Sequence, residues 1–380
     1  MKAILKLIFA GFLLCLLCAC AERREIEELG FVVGAAYDQS SHAAIKGTYQ
    51  MVLPNTFSSS ERGTATQKNY INLTSTGESI FAHFRMIAKK ISRPLFFPHI
   101  QVIIFSEEVL RTPYMLQNIL DVYIRDEAMR RNIRLFVATK GRAAPILAQN
   151  AGPEYLPAKY VWMLSEHTQK NAQMIEKKRI GDIHSKIIAK KSFILPVVFR
   201  TKQGVELSGS ALFKGTDNRL VAMLNAQDTA SLQYMTSSKV RGIVTVPMNK
   251  QRITYEFHRV HQRMELAVTN PKRPKVDIYV KLDGKIAEMH SSLAHQHSMK
   301  QLQQVLANEM NKQLQMTTKR LQTQYKLDVI GIGDKYQRQN FKKWKEIEND
   351  WENGKQYFST CHIRIHVQPQ ITQSGSTLPK

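Results

Sequence analysis

Residues 99–138 read HIQVIIFSEEVLRTPYMLQNILDVYIRDEAMRRNIRLFVA, and this stretch decides the fold class. Its first part, residues 99–105, is mostly apolar, which predicts a buried strand. Residues 114–124 have the apolar spacing of an amphipathic helix, and residues 133–138 read as the next strand. A strand, a helix and a second strand in this order predict an α/β arrangement with parallel pairing.

Upstream of this stretch, the chain predicts a pair of strands and a helix. Residues 31–37 are rich in β-forming side chains, and residues 46–57 are the expected partner strand. A polar loop is expected at 58–69. Ser75 and Glu78 have the spacing of a capping box, which predicts a helix that starts there and ends before Pro94. Further helices are expected at 142–150 and 181–189, and a helix is possible at 162–178.

The pattern changes after residue 192, where short β-rich segments alternate with glycine-containing turns. Helices are predicted at 229–235, 297–325 and 337–351. The apolar stripe of the long helix, which includes Leu302, Leu306 and Leu314, favours burial against a sheet over a coiled coil or a partner-binding face. The predicted strands of this half are 193–199, 206–213, 219–224, 242–247, 252–260, 264–268, 276–282 and 361–367.

These elements predict an α+β fold with mixed α/β character, divided into several domains. The chain has 380 residues, 43% of them hydrophobic, which is enough for two or three domains. We expect an N-terminal α/β domain at 20–195, a middle domain at 196–240 and a C-terminal α+β domain at 241–372. A disordered polar tail is expected at 373–380.

The first twenty residues, MKAILKLIFAGFLLCLLCAC, have the pattern of an export signal. Lys2 and Lys6 form a positive start, and the apolar run that follows is about the length of a signal-peptide core. Leu17-Cys18-Ala19-Cys20 resembles the lipobox of bacterial lipoproteins. That resemblance implies removal of residues 1–19 and modification of Cys20 by an S-diacylglycerol and an N-acyl group. An uncleaved anchor helix and a plain secretory peptide are the alternatives.

The chain is strongly basic, with 54 Lys and Arg against 31 Asp and Glu and a formal net charge of +23. Such an excess favours polyanionic neighbours or simply keeps a protein soluble. The export signal argues against nucleic acid and points to an anionic membrane surface as the partner. The basic residues form short clusters, each of which is usually just a solvated face: 177–179, 190–191, 272–275 and 342–343.

Residues with catalytic or metal-binding chemistry do not fall into recognisable motifs. The chain has no G-x-S-x-G sequence. Gly331-Ile332-Gly333 lacks the third glycine of a dinucleotide loop, because Tyr336 stands there, and a tight turn into a helix explains the glycines. His258 and His261 are expected on opposite faces of a strand, and His290, His295 and His297 in a solvated loop. We therefore predict a protein that is not an enzyme, with no catalytic residue, cofactor or metal.

Cysteine use agrees with an exported lipoprotein. Cys15, Cys18 and Cys20 lie in the targeting segment, and only Cys361 remains in the body. With Cys20 acylated, no intramolecular disulfide can form. Cys361 is expected to be a packed residue of the terminal strand.

Three motifs behind the lipobox resemble the spore germination lipoproteins of the Ger(x)C, or GerAC, family. The first motif is RREIEELGFV at 23–32. The second motif is LSGSALF at 207–213, followed by LVAML at 220–224. The third is Leu327-Asp328 with Gly331-Ile332-Gly333, a helix to Trp351 and an alternating strand. Two departures are Ala21-Glu22, where the family often has Trp-Asp, and Ala222-Met223, where it usually has a Gly.

The resemblance implies an elongated, three-domain α+β body and a non-enzymatic role. Members are C subunits of nutrient germinant receptors, lipid-anchored at the outer face of the inner spore membrane beside membrane-embedded A and B subunits. It establishes no small-molecule ligand for the C subunit. The alternative function is a substrate-binding lipoprotein of a membrane transporter. Such proteins usually have two similar α/β lobes, and the β-rich second half of this chain disfavours that reading.

Overall fold

The computed structural model describes residue 4 and residues 28–40, 45–52, 69–149, 152–289 and 298–373. Two β-sheets organise this part of the chain. The nine described strands of the first sheet are β1 Gly30–Gln39, β2 Ile45–Val52, β3 Tyr70–Gly77, β4 Leu95–Phe96, β5 Val102–Ser106, β6 Arg134–Ala138, β7 Phe193–Arg200, β8 Val205–Phe213 and β9 Leu220–Leu224.

The centre of the first sheet is parallel. Strands β1, β5, β6 and β7 lie side by side in that order, and Val102 of β5 is opposite both Gly34 and Arg134. Antiparallel strands extend the sheet on both sides, β2 and β3 beside β1, and β8 and β9 beside β7. All residues of β5 and β6 are buried, as in strands covered on both faces. The parallel arrangement predicted for 99–138 is confirmed.

Helices cover both faces of this sheet. The helices of the described chain are α1 Ile80–Ala88, α2 Glu107–Arg111, α3 Met115–Arg125, α4 Pro157–Leu164, α5 Ile180–Ile188, α6 Ala226–Thr236, α7 Met299–Arg320, α8 Ile332–Gln339 and α9 Phe341–Lys345. One apolar core joins α1, α2, α3 and α5 to the sheet, and a second core on the opposite face includes α4 and the 3₁₀ turn Ala144–Ala148.

The second sheet has four described strands, β10 Gly242–Met248, β11 Gln251–Ala267, β12 Lys275–Met289 and β13 His362–Gln373. The first three are antiparallel, and β13 lies parallel to β12. Helix α7 packs on this sheet through Leu302, Leu306, Met310 and Leu314, which are all buried. The predicted burial of its apolar stripe is confirmed, and so is the α+β fold class.

Helix α6 lies between the two sheets, and every residue from Asp228 to Met235 is buried. It packs against β8 and against β11, β12 and α7. Its polar side chains bond to both halves: Gln233 Nε2 donates to the carbonyl of Ala172 at 2.7 Å, and Thr317 donates to Asp228 at 2.7 Å. These bonds satisfy groups whose burial would otherwise be costly.

Two helix predictions in the first half are wrong. Ser75 lies inside β3, a strand that the sequence did not reveal, because its Ser and Thr side chains hide the alternation. The backbone of this segment is hydrogen-bonded to β2, so it cannot form a helix. Helix α1 begins later, with Ser79 as its N-cap. The possible helix at 162–178 is also wrong. Helix α4 ends at Leu164, and the Arg134 guanidinium donates to the carbonyl of Trp162 at 2.7 Å, just before that end.

Two further predictions need correction in the second half. The segments 252–260 and 264–268 belong to one strand, β11, whose register shifts between Phe257 and Arg259. The helix predicted at 337–351 is broken at Asn340, where ψ is 60°, into α8 and α9, and the 3₁₀ turn Glu348–Asp350 follows.

The predicted boundary between residues 195 and 196 falls inside β7, and the first sheet continues through β9. The limits of the three domains stay a prediction. Among the described helices, none combines the length and the apolar character that a membrane crossing requires.

Candidate functional site

The glycine pair of the third motif begins helix α8, and Asp328 organises it. Gly331 is the N-cap, with φ of 91°, in the left-handed region that glycine tolerates. The backbone N–H groups of Gly331, Ile332 and Gly333 donate to the Asp328 carboxylate at 2.9, 3.1 and 2.6 Å. In a dinucleotide loop a phosphate accepts such donors. Here a side chain of the same chain accepts them, and the segment before the turn, residues 326–330, is not a strand as it would be in a dinucleotide-binding unit.

Two tryptophans close over this turn. Trp351 Nε1 donates to Asp328 Oδ2 at 2.9 Å, and the rings of Trp344 and Trp351 pack edge to face at 5.3 Å. A Cβ atom on Gly333 would lie 2.8 Å from each of these rings. The second glycine of the motif is therefore required by packing against the tryptophans.

Burial raises the pKa of Asp328, although the three backbone donors and Trp351 favour its charged form. Its own backbone N–H donates at 2.5 Å to a second buried carboxyl group, that of Glu352. Burial likewise raises the pKa of Glu352, to about 7, even though Ser192 donates to it at 2.6 Å. Ser192 precedes β7 of the first sheet, so this hydrogen bond joins the two halves of the chain.

A second link between the halves is ionic. Asp334 of α8 pairs with Lys186 of α5 at 3.2 Å and with Lys191, which also donates to Gln337 at 2.9 Å. Burial opposes ionisation of Asp334, but the two lysines outweigh it and lower the pKa of this carboxyl. The pairs are only partly exposed, so solvent screens them less than ordinary surface pairs.

These residues border a cleft of about 590 Å³ between the turn that enters β7 and the segment from Asp328 to Asn353. Its walls combine lysines, carboxylates and the two tryptophans. The carboxylates already accept hydrogen bonds from the chain, so the arrangement suits a structural contact between the halves more than acid–base chemistry. We regard this inter-sheet cleft as the candidate functional site.

The other residues considered for chemistry are placed as follows. His258 and His261 are both exposed, so the predicted opposite faces are wrong. His258 is the extra residue at the register shift between Phe257 and Arg259, which interrupts the alternation of side chains before His261. His261 Nε2 lies 3.4 Å from Asp283. Within the described residues, no group of three His, Cys, Asp or Glu side chains could hold a metal ion. His290, His295 and His297 lie outside the described residues.

Cys361 is buried immediately before β13, and its thiol lies 3.5 Å from the carbonyl oxygen of Tyr357. Burial raises the pKa of this thiol, which makes it unreactive. Its predicted packed position is confirmed. Cys20, the predicted lipidation site, lies outside the described residues. Of the tail predicted at 373–380, Gln373 is the last residue of β13, and residues 374–380 lie outside the described residues.

The sequence singled out Asp328, the glycines and Trp351 but missed Ser192 and Glu352. It named Lys191 only as part of a basic cluster on a solvated face. No local pattern connects residues that lie 160 positions apart. Glu352 beside Trp351 was the one available signal, since a charged residue next to a buried aromatic side chain is commonly paired.

Comparison with known proteins places the chain among spore germination proteins. Residues 22–199 match the family model of the spore germination protein N-terminal domain. Residues 208–375 match the model described as spore germination B3/GerAC like, C-terminal. The two models follow each other along the chain and together span most of it.

Individual relatives agree with this match. The chain is 24% identical to spore germination protein B3 of Bacillus subtilis (strain 168) over 99% of both chains. It is 25% identical to spore germination protein YndF of the same strain, over 97% of this chain and 96% of the relative. The crystal structure of the GerBC protein has the same fold, with a TM-score of 0.59, 21% identity and coverage of 92% of this chain and 100% of that one.

Proposed function

This chain belongs to the GerAC family of spore germination proteins, and from that membership we propose that it is the lipid-anchored C subunit of a nutrient germinant receptor. The observation that carries the proposal is the succession of both family domains along one chain behind a lipobox. The proposed role is non-enzymatic: the subunit docks on the membrane-embedded A and B subunits at the outer face of the inner spore membrane.

The anchor in this proposal is Cys20. Its thiol can carry the diacylglycerol, and removal of residues 1–19 would free its α-amine for the N-acyl group. Several acyl chains hold a protein at a membrane durably where one does not. Nine residues lie between Cys20 and Gly30 at the start of β1, so the start of the body lies at most roughly 35 Å from the lipid. The body is thereby confined to the membrane surface, where the proposed partners are.

The contacts at the inter-sheet cleft are consistent with a body that acts as one unit. Hydrogen bonds and ion pairs from Ser192, Lys186 and Lys191 hold the α8 segment against the first sheet. A body fixed in this way can transmit a force from one partner subunit to another. We propose that it stabilises or gates the receptor by this means.

Deletion of the gene tests the role. Spores without this subunit should lose the response to one class of nutrient and should still germinate with non-nutrient triggers. Wild-type complementation should restore the response. The Cys20→Ser form should restore little of it, because without its acyl chains the protein is no longer held durably at the membrane. A full nutrient response in the deletion strain would refute the proposal.

A transporter's substrate-binding lipoprotein is the alternative. The nine-stranded mixed sheet and the four-stranded sheet do not resemble two similar lobes, which favours the receptor subunit. Calorimetric titration of the mature chain with amino acids and sugars separates the two functions, since tight binding by the isolated chain would favour the transporter.

A further inference from the structure

Two basic segments that lie far apart in the sequence meet on the surface of the second sheet. The turn between β11 and β12 carries Lys272 and Arg273, and Lys275 is the first residue of β12. Helices α8 and α9 carry a second basic run. The hydroxyl of Tyr336 donates to the carbonyl of Pro271 at 3.3 Å, and Lys343 Nζ donates to the carbonyl of Val268 at 3.4 Å. These contacts hold α8 and α9 against the turn.

The combined surface is strongly positive. We call it the basic hairpin patch, and its exposed members are Lys272, Arg273, Lys275, Arg338, Phe341, Lys342, Lys343 and Lys345. Residues 268–275 and 335–345 contain no Asp or Glu, and the acidic residues that flank the second run are Asp334, which pairs with Lys186 and Lys191, and the exposed Glu346. Lys345 pairs with Glu348 at 2.9 Å, at the margin of the patch. A run of two or three lysines is an ordinary solvated face, but two runs brought together create a local potential that attracts anions.

An aromatic ring lies among these cations. Phe341 is 56% exposed, and the Lys345 ammonium is 5.6 Å from the centre of its ring. Exposed aromatic rings beside Lys and Arg are typical of surfaces that rest in the boundary between lipid headgroups and acyl chains. Water stabilises the charged lysines, but it does not stabilise the apolar ring of Phe341.

We propose that the basic hairpin patch docks on the anionic headgroups of the membrane, with Phe341 entering the headgroup region. This inference rests on the proposed function, which anchors the chain through Cys20. An anionic lipid surface supplies both chemistries that the patch presents, phosphate for the cations and an apolar boundary for the ring. The nine residues between Cys20 and Gly30 keep that surface at high local concentration. Docking would fix the orientation of the body, which the tether alone does not.

Vesicle sedimentation tests the patch without the lipid anchor. The mature chain, residues 20–380 with Cys20→Ser, is mixed with vesicles of phosphatidylcholine alone or with added phosphatidylglycerol. We expect binding to the anionic vesicles only, and weaker binding at high salt because ions screen the attraction. The triple variant Lys272→Ala, Lys342→Ala, Lys343→Ala should lower the partition coefficient on the order of 100-fold, since each nearby basic side chain contributes about a fivefold factor.

The matched control removes the same charge elsewhere. Lys89, Lys202 and Lys312 are exposed and lie outside the patch, and their triple change to Ala should lower binding by less than about threefold. Circular dichroism and melting establish that both triple variants are folded. Phe341→Ser tests the ring, because it should weaken binding while leaving the charge unchanged. Equal losses in the two triple variants, or equal binding to neutral vesicles, would overturn the proposal.

Germination assays separate this inference from the proposed function. If the patch variant binds vesicles like the wild type but its spores fail to respond to nutrients, the patch contacts an acidic protein face and the lipid assignment is overturned. If vesicle binding depends on the patch but deletion of the gene leaves the nutrient response intact, the lipid assignment stands and the receptor role fails.

Discussion

At the scale of single residues, the inter-sheet cleft depends on two buried carboxyl groups with different partners. Asp328 accepts three backbone N–H groups and Trp351, and Glu352 accepts Ser192 and the backbone of Asp328. Asp328 therefore shapes the start of α8, while Glu352 attaches this region to the first sheet. The raised pKa of Glu352, about 7, places its titration close to neutral pH.

Glu352→Gln should remove a pH dependence of stability. The pKa of Glu352 rises from about 4.5 to about 7 on folding, so the folded protein keeps this proton to a higher pH than the unfolded chain does. The free energy of unfolding therefore falls as the pH rises through this window. The wild type should lose on the order of 2 kcal/mol relative to Glu352→Gln between pH 5 and pH 7.5. Urea unfolding at several pH values measures this difference.

Ser192→Ala is the control for that experiment. It removes a hydrogen bond that lowers the pKa of Glu352, so the dependence should persist and move to higher pH. A difference between Glu352→Gln and the wild type that does not change with pH would contradict the assignment.

At the scale of elements, the sequence predicted those whose apolar period is regular. The strand and helix at 99–138 and the stripe of α7 were found because burial imposes a period of two or 3.6 residues. Strand β3 was missed because its Ser and Thr residues are polar on both faces, and its pairing with β2 decides the structure. The motif around Gly331 predicted a turn into a helix, but the role of Asp328 could not be read from spacing. The contact of Ser192 with Glu352 depends on tertiary packing alone.

Gly333→Ala tests the tightness of the α8 turn. The new Cβ would lie 2.8 Å from both tryptophan rings, and overpacking of this kind typically costs about 1–3 kcal/mol. Gly181→Ala is the matched control, since Gly181 is also the second residue of its helix, α5, and its Cβ would lie 3.6 Å from the nearest atom.

The control should be neutral or stabilising, because Ala favours a helix over Gly. Thermal unfolding of both variants gives the comparison. A Gly333→Ala protein that melts with or above the Gly181→Ala protein would show that the turn has room for a side chain.

At the scale of the whole molecule, the fold joins two sheets through α6 and through the inter-sheet cleft. The sequence predicted the α+β class and the family, because the motifs lie in order along the chain. It did not predict that β7 to β9 complete the first sheet, since strand partners distant in sequence leave no local signature. The domain limits and the lipid at Cys20 remain predictions. The proposed role as a lipid-anchored receptor subunit depends on the lipid at Cys20.

Isolation of the tagged chain from spore membranes in mild detergent tests that role most directly. We predict that two integral membrane proteins, the A and B subunits, are recovered with it, and that Cys20→Ser reduces their recovery. Recovery of the chain without those subunits, or with the membrane components of a transporter instead, would contradict the account.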